Sequence, residues 1–174
     1  MLDPRQQVLC DAWCRLAREH GGLPPRRCFD PIDFPQALSS LILTELLPNG
    51  ALYYRLVGSD MVAAWGADFT GRHLHDIMEG EYHTFIRGLF DEAITKRLPI
   101  FSHSRFQWHR GRSLDTKRLF LPFARNDAPQ EVGYVLVSQV FDYAKTGPTE
   151  PLLRSLQNSE MIEIERQPIR VAGS

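Results

Sequence analysis

The chain is poor in cysteine: it has three in 174 residues, Cys10, Cys14 and Cys28, all near the start. An odd, clustered set is not a disulfide framework, so free thiols in a reducing, cytoplasmic setting are expected. Cys10 and Cys14 lie one helical turn apart with only His20 nearby, and zinc sites need a fuller ligand set. An excess of one charge is also missing. Lys plus Arg total 20 and Asp plus Glu 21, for a net charge of −1, which gives no general attraction to nucleic acid or anionic membrane. No apolar run approaches the roughly 20 residues needed to span a bilayer. The first residues, MLDPRQQ, lack the apolar core of an export signal. G-x-S-x-G, GxxxxGK[ST], H-E-x-x-H and C-x-x-C are all absent. These absences lead to the expectation of a protein without catalytic residues, membrane contact or nucleic-acid partner.

What is present is the periodic pattern of one ordinary domain. Residues 3–20 read as a helix, with Asp3 as N-cap, Pro4 at the first position and Gly21–Gly22 as the stop. Its stripe is Val8, Leu9, Ala12, Trp13 and Leu16. Four prolines between residues 23 and 37 predict a stiff, extended connector. Strands at 41–47 and 51–57 flank a Pro48–Asn49–Gly50 turn and read as a hairpin. A short helix follows over 61–65. The clearest helix is 81–97, with Tyr82, Phe85, Ile86, Leu89, Phe90, Ala93 and Ile94 on one side. Strands are predicted at 99–108, 116–124 and 132–142. The last stretch, 144–174, reads as a tail outside the core, with Met161, Ile162 and Ile164 leaving a late strand open.

The segment LYYRLVGSDMVAAWGADFTGR, residues 52–72, resembles the PAS sensor domains. There a strand ending near a "vG" step precedes a short helix, a "G.d.tG" turn and a cavity. The tryptophan-bearing first helix and the segment LPPRRCFDPIDFP are similar to a family of small stand-alone bacterial PAS proteins. The resemblance implies an α+β fold. Over residues 35–143 it predicts a PAS-like five-stranded antiparallel sheet with helices on one face and the first strand beside the last. Residues 1–34 are then an N-terminal flanking helix and Pro-rich connector, and 144–174 a C-terminal tail. For function it implies a cytoplasmic sensory or interaction domain without catalytic output or an output domain after residue 145. Such a domain binds an unidentified small-molecule ligand or a signalling protein partner.

In such a fold a ligand lies between the sheet and residues 58–97. The expected walls are Tyr54, Trp65, Phe69, Ile77, Phe85, Leu89, Phe120 and Leu136, and the expected polar anchors Arg55, Arg72 and His83. Arg105 and Arg118 complete a set of core arginines, whose planar fork suits carboxylate or phosphate. Haem-binding PAS proteins take an iron ligand from the helical region where His83 stands. Light-sensing relatives carry a reactive cysteine in an "NCRFLQ"-like segment, absent here, so the cofactor stays unassigned. His73-x-His75 near Asp76 and Glu79 invites a metal, but surface histidines are the simpler reading and no metal is expected. The basic, aromatic segment 105–118 reads as a charged hairpin edge. Two other functions stay open: a small enzyme with His83 or His103 as general base, and a ligand-free dimerisation module. The Trp13 stripe needs a cover. A homodimer through the first helix is expected, the alternative being the chain's own sheet.

Overall fold

The computed structural model describes residues 1–143 and 150–171. Helix α1 (Pro4–Glu19) starts as its sequence predicts. The Asp3 carboxylate accepts from the Arg5 N–H at 2.9 Å, and the Gln6 side chain accepts from the Asp3 N–H at 3.2 Å. The connector runs through three single turns, Arg26–Cys28, Pro31–Asp33 and Leu38–Ser40. It then enters β1 (Leu41–Leu46) and β2 (Leu52–Val57). Helices α2 (Ser59–Trp65), α3 (Leu74–Ile77) and α4 (Gly80–Lys96) follow. Strands β3 (Ile100–Trp108), β4 (Arg112–Ala124) and β5 (Val132–Asp142) come next, then α5 (Leu152–Ser155) and β6 (Ser159–Pro168).

The spatial order is β2-β1-β5-β4-β3-β6, and every neighbouring pair is antiparallel. The five expected strands therefore make the expected PAS-like sheet, with the first beside the fifth, and the competing parallel arrangement is excluded. A sixth strand extends the sheet. It comes from the segment expected to lie outside the core, whose opening, residues 144–149, falls outside the described residues. Leu152 of α5 packs in the same core as the strands. β6 covers β3 along its full length, so the 105–118 hairpin is not a sheet edge. Its aromatic residues point inward: Phe106 is buried, and the Trp108 indole donates to the Ser155 carbonyl at 2.9 Å.

Strand alternation explains why β4 and β5 are apolar on both faces. Phe120, Val135 and Val137 face α2, α3 and α4, whereas Leu119, Leu121, Phe123 and Leu136 face α1 and the connector. The sheet is thus covered on both sides, and its central strands are buried in two cores. α1 folds back on its own sheet. Trp13 is 1% exposed, and its indole donates to the Pro122 carbonyl at 2.6 Å. The Gln6 amide donates to the carbonyls of Lys117 and Ser138 at 3.1 and 3.0 Å. The alternative cover is the one realised, and Trp13 is not free to anchor a two-fold interface.

The "vG" step has a steric cause. A Cβ on Gly58 would lie 2.4 Å from the Ser39 carbonyl oxygen, and the Gly58 N–H donates to the Leu41 carbonyl at 2.7 Å. Only glycine lets the end of β2 pass this close to the turn before β1. Gly66 ends α2 in the left-handed region at φ 77°, and that turn brings Phe69 under the sheet.

Candidate functional site

The helix-facing side of the sheet is not wholly apolar. Gln139, Arg118, Ser102 and Arg166 are successive cross-strand partners on β5, β4, β3 and β6, and Thr116 pairs with Ser104 beside them. All except Arg166 are buried. Arg118 is 0% exposed. Its Nη1 donates to Ser104 Oγ at 2.7 Å and its Nη2 to the Tyr82 hydroxyl at 3.2 Å. Its guanidinium carbon lies 6.0, 5.7 and 5.9 Å from the ring centres of Tyr82, Phe85 and Phe106. Aromatic faces stabilise a cation, by up to about 2 kcal/mol when desolvated. The Nε of Arg118 has no hydrogen-bond partner within 3.5 Å, and neither do Gln139 Nε2, Ser102 Oγ, Thr116 Oγ1 and Thr44 Oγ1, although the Gln139 side chain is close enough to the Tyr82 hydroxyl to lower its pKa. Each of these five side chains projects from the same face, toward α2, α3 and α4.

Two of them, Arg118 and Gln139, line a cavity of about 20 Å³ together with Ile42, Tyr54, Trp65, Phe69, Met78, Tyr82, Ile86, Phe90, Phe120 and Val137. That is room for about one water. Beyond it lies a groove of about 500 Å³ between α3, the start of α4, α5 and the start of β6. Met78 and Tyr82 line both spaces, so they form the partition between cavity and groove. Burial holds the Tyr54 phenol above its ordinary pKa, reinforced by Tyr82. Burial also raises Tyr82, opposed by the Arg118 guanidinium beside it. Both phenols are therefore neutral donors and acceptors at physiological pH.

Of the expected wall residues, Tyr54, Trp65, Phe69 and Phe120 line this cavity. Phe85 packs over Arg118, and Ile77 lines the outer groove. Leu89 is fully buried in the core and not on the cavity wall. Leu136 is a correction: it lies between Val135 and Val137 and so faces α1. Arg55 faces outward, pairs with Glu45 and covers the Tyr53 ring at 4.9 Å. Arg72 is exposed, donates to the Asp76 carbonyl at 2.9 Å and stays outside the cavity. His83 is half-buried in the first turn of α4 and does not line the cavity.

His103 pairs with Lys117, on the face opposite Arg118, and lies 3.2 Å from Asp115. The same Asp115 holds Arg105 at 2.8 Å. Neither candidate general base therefore reaches the cavity. Tyr82 and Gln139, which line the cavity, and Ser102, Ser104 and Thr116, which neighbour Arg118 in the sheet, are not among the site residues expected from the sequence. For Thr116 the signal is parity, since it shares a face of β4 with Phe120; the others are placed by cross-strand register and helix packing.

Two other clusters are separate from this site. His73, His75 and Asp76 bring three ligand atoms within 4.8 Å of one another on the surface. Asp76 accepts from the His73 N–H at 3.3 Å, which caps α3 and lowers the Asp76 carboxylate pKa. The three cysteines lie in α1 and the connector, across the sheet from the cavity. Burial, with Cys14 next to it, pushes the Cys10 thiol up to about 12.

Among solved structures, the chain is similar to a LOV protein of Rhodobacter sphaeroides, at 17% identity and a TM-score of 0.41 over 64% of this chain and 62% of that one. A variant of RsLOV (16%, TM-score 0.43, 71% and 69% covered) and the light state of the blue-light photoreceptor Aureochrome1 LOV (14%, TM-score 0.41, 71% and 91% covered) are similar to the same degree. Likeness at this level carries nothing about ligand or output. No curated protein matches. Among the described residues, no helix is long and apolar enough to cross a membrane. The sequence pattern of the PAS domain family matches residues 1–136. That span begins before α1, takes in the connector and ends inside β5, so the helix on the far face of the sheet is part of the match. With its strand order and this match together, the chain belongs to the PAS domain family.

Proposed function

We propose that this chain is a sensory PAS domain that binds a small molecule between the sheet and helices α2, α3 and α4. It has no catalytic output of its own, and it signals in the cytoplasm through a changed contact with a protein partner. The observation that carries this reading is the set of five buried, unpartnered polar atoms on one face of one sheet. Such an atom costs about 1–3 kcal/mol when left unmade, whereas an apolar replacement of the same shape is close to neutral. Two of the five side chains, Arg118 and Gln139, line the closed cavity.

The small closed cavity supplies the coupling. A ligand larger than a water enters only if side chains of the helical layer move, such as Trp65 of α2, Met78 or Tyr82 of α4. Binding then favours one surface state over another through unequal affinity for the two. Among the described residues no histidine or cysteine lines the cavity, so the rival reading of a small enzyme loses its proposed base.

The 20 Å³ volume favours a second reading, a filled structural module. Methyl NMR separates the two. Indole, benzyl alcohol and benzoate are titrated into the full chain while the methyls of Ile42, Met78 and Val137 are followed. Saturable shifts confined to these groups support the sensor. Unchanged methyls with all three probes support the structural module and overturn the sensor.

A further inference from the structure

We infer that the ligand of this cavity is a small organic anion, a carboxylate on an apolar body, and that Arg118 is its anchor. The inference rests on the reading of the cavity as a ligand site and names the chemistry that the site selects. Arg118 is a permanently charged group at 0% exposure, and none of the ion pairs among the described residues includes it. Its immediate polar partners are neutral: Ser104 and Tyr82. The next arginine in the same cross-strand row differs. Arg166 lies 3.7 Å from Glu92 and also pairs with Glu163, although it is closer to solvent. The more buried cation is the one left without an acid.

A buried charge without a counter-charge is costly, and aromatic faces offset only part of that cost. A ligand carboxylate would supply what is missing. Nη1 and Nη2 are each committed to one neutral acceptor, while Nε has none. At the cavity wall a carboxylate would meet the Arg118 guanidinium and the Gln139 side chain, with Ser102 the cross-strand partner of Arg118 and Thr116 two residues before it on the same strand face. Tyr54, Phe69, Trp65 and Phe120 remain for an apolar body. The outer groove carries Asp76, Glu79 and Glu81, which discourages larger polyanions and fits a single carboxylate.

The test compares benzoate with benzamide, which has the same shape without the charge. Thermal unfolding of the full chain is followed with each probe at matched ionic strength, and the Arg118 Nε–H resonance is followed by NMR. Benzoate is expected to bind about tenfold or more tightly than benzamide and to shift the Nε–H resonance on saturation. Arg118→Met and Arg118→Gln should abolish that preference. Equal binding of both probes by the wild-type chain, which needs no variant, overturns the anion while leaving the cavity a ligand site. A benzoate preference that persists in a folded Arg118→Met chain also overturns it. Failure of both probes to bind, with the cavity methyls unmoved, overturns the anion and the sensory reading together.

Discussion

Replacing Trp13 tests whether α1 belongs to the chain's own core. The indole is 1% exposed, packs with Leu121, Phe123 and Leu136 in the second core, and donates to the Pro122 carbonyl. Truncating a buried tryptophan to alanine costs about 3–5 kcal/mol. The lost hydrogen bond adds about 1 kcal/mol. Trp13→Phe keeps most of the packing and loses the bond, so about 1–2 kcal/mol is expected. With a urea slope of about 2 kcal/mol/M, the alanine variant should lower the midpoint by about 2–3 M at constant slope, and the phenylalanine variant by no more than about 1 M. Sedimentation run in parallel should show the same subunit count for all three proteins. A midpoint within about 0.3 M of wild type, with a change from dimer to monomer, would refute the intrachain packing and restore Trp13 as an interface anchor.

Gly58→Ala forces a Cβ to within 2.4 Å of the Ser39 carbonyl, so chemical denaturation should show a loss of about 1–3 kcal/mol or more. Arg97 ends α4 at φ 54°. Arg97→Gly relieves that left-handed strain and should stabilise by up to about 1 kcal/mol in the same assay. The raised Tyr54 and Tyr82 phenols fix a sign at high pH. Above about pH 10 the unfolded chain releases protons that the folded one retains, so stability is complete below that pH and falls by about 1.4 kcal/mol per pH unit for each tyrosine. Stability that is flat from about pH 9 to 11 would contradict this. At about pH 8 a thiol reagent should modify the exposed Cys28 first and Cys10, held near 12, last. Fast reaction of Cys10 in the folded chain would count against its burial.

The sequence made most of the fold legible because its signals were local. Asp3–Pro4, Gly21–Gly22 and Pro48–Asn49–Gly50 punctuate the elements, and the even-numbered alternation through Thr116, Arg118 and Phe120 places three residues on one face. β6 was harder to read, since Ile162 and Ile164 stay exposed and an edge strand carries little burial pattern. The placement of α1 depended on what covered its stripe. Its polar ties run from Gln6 and Trp13 to strand carbonyls more than 100 residues away in the chain. The aromatic residues around the cavity follow the hydrophobic pattern. The buried arginine is harder to pick out. Arg55, Arg72 and Arg118 all stand in the core region, and only strand parity and cross-strand pairing distinguish the buried one. Ser102, Thr116 and Gln139 carry no signal as residue types. Their meaning comes from register, which brings them beside Arg118 and leaves their polar atoms unpartnered.

The most direct test of the account is a crystal structure of the full chain grown with saturating benzoate. The carboxylate should lie against the Arg118 guanidinium and the Gln139 side chain, with the rings of Tyr82 and Trp65 displaced to admit the phenyl group. A closed cavity, with benzoate only in the outer groove or nowhere, would contradict it.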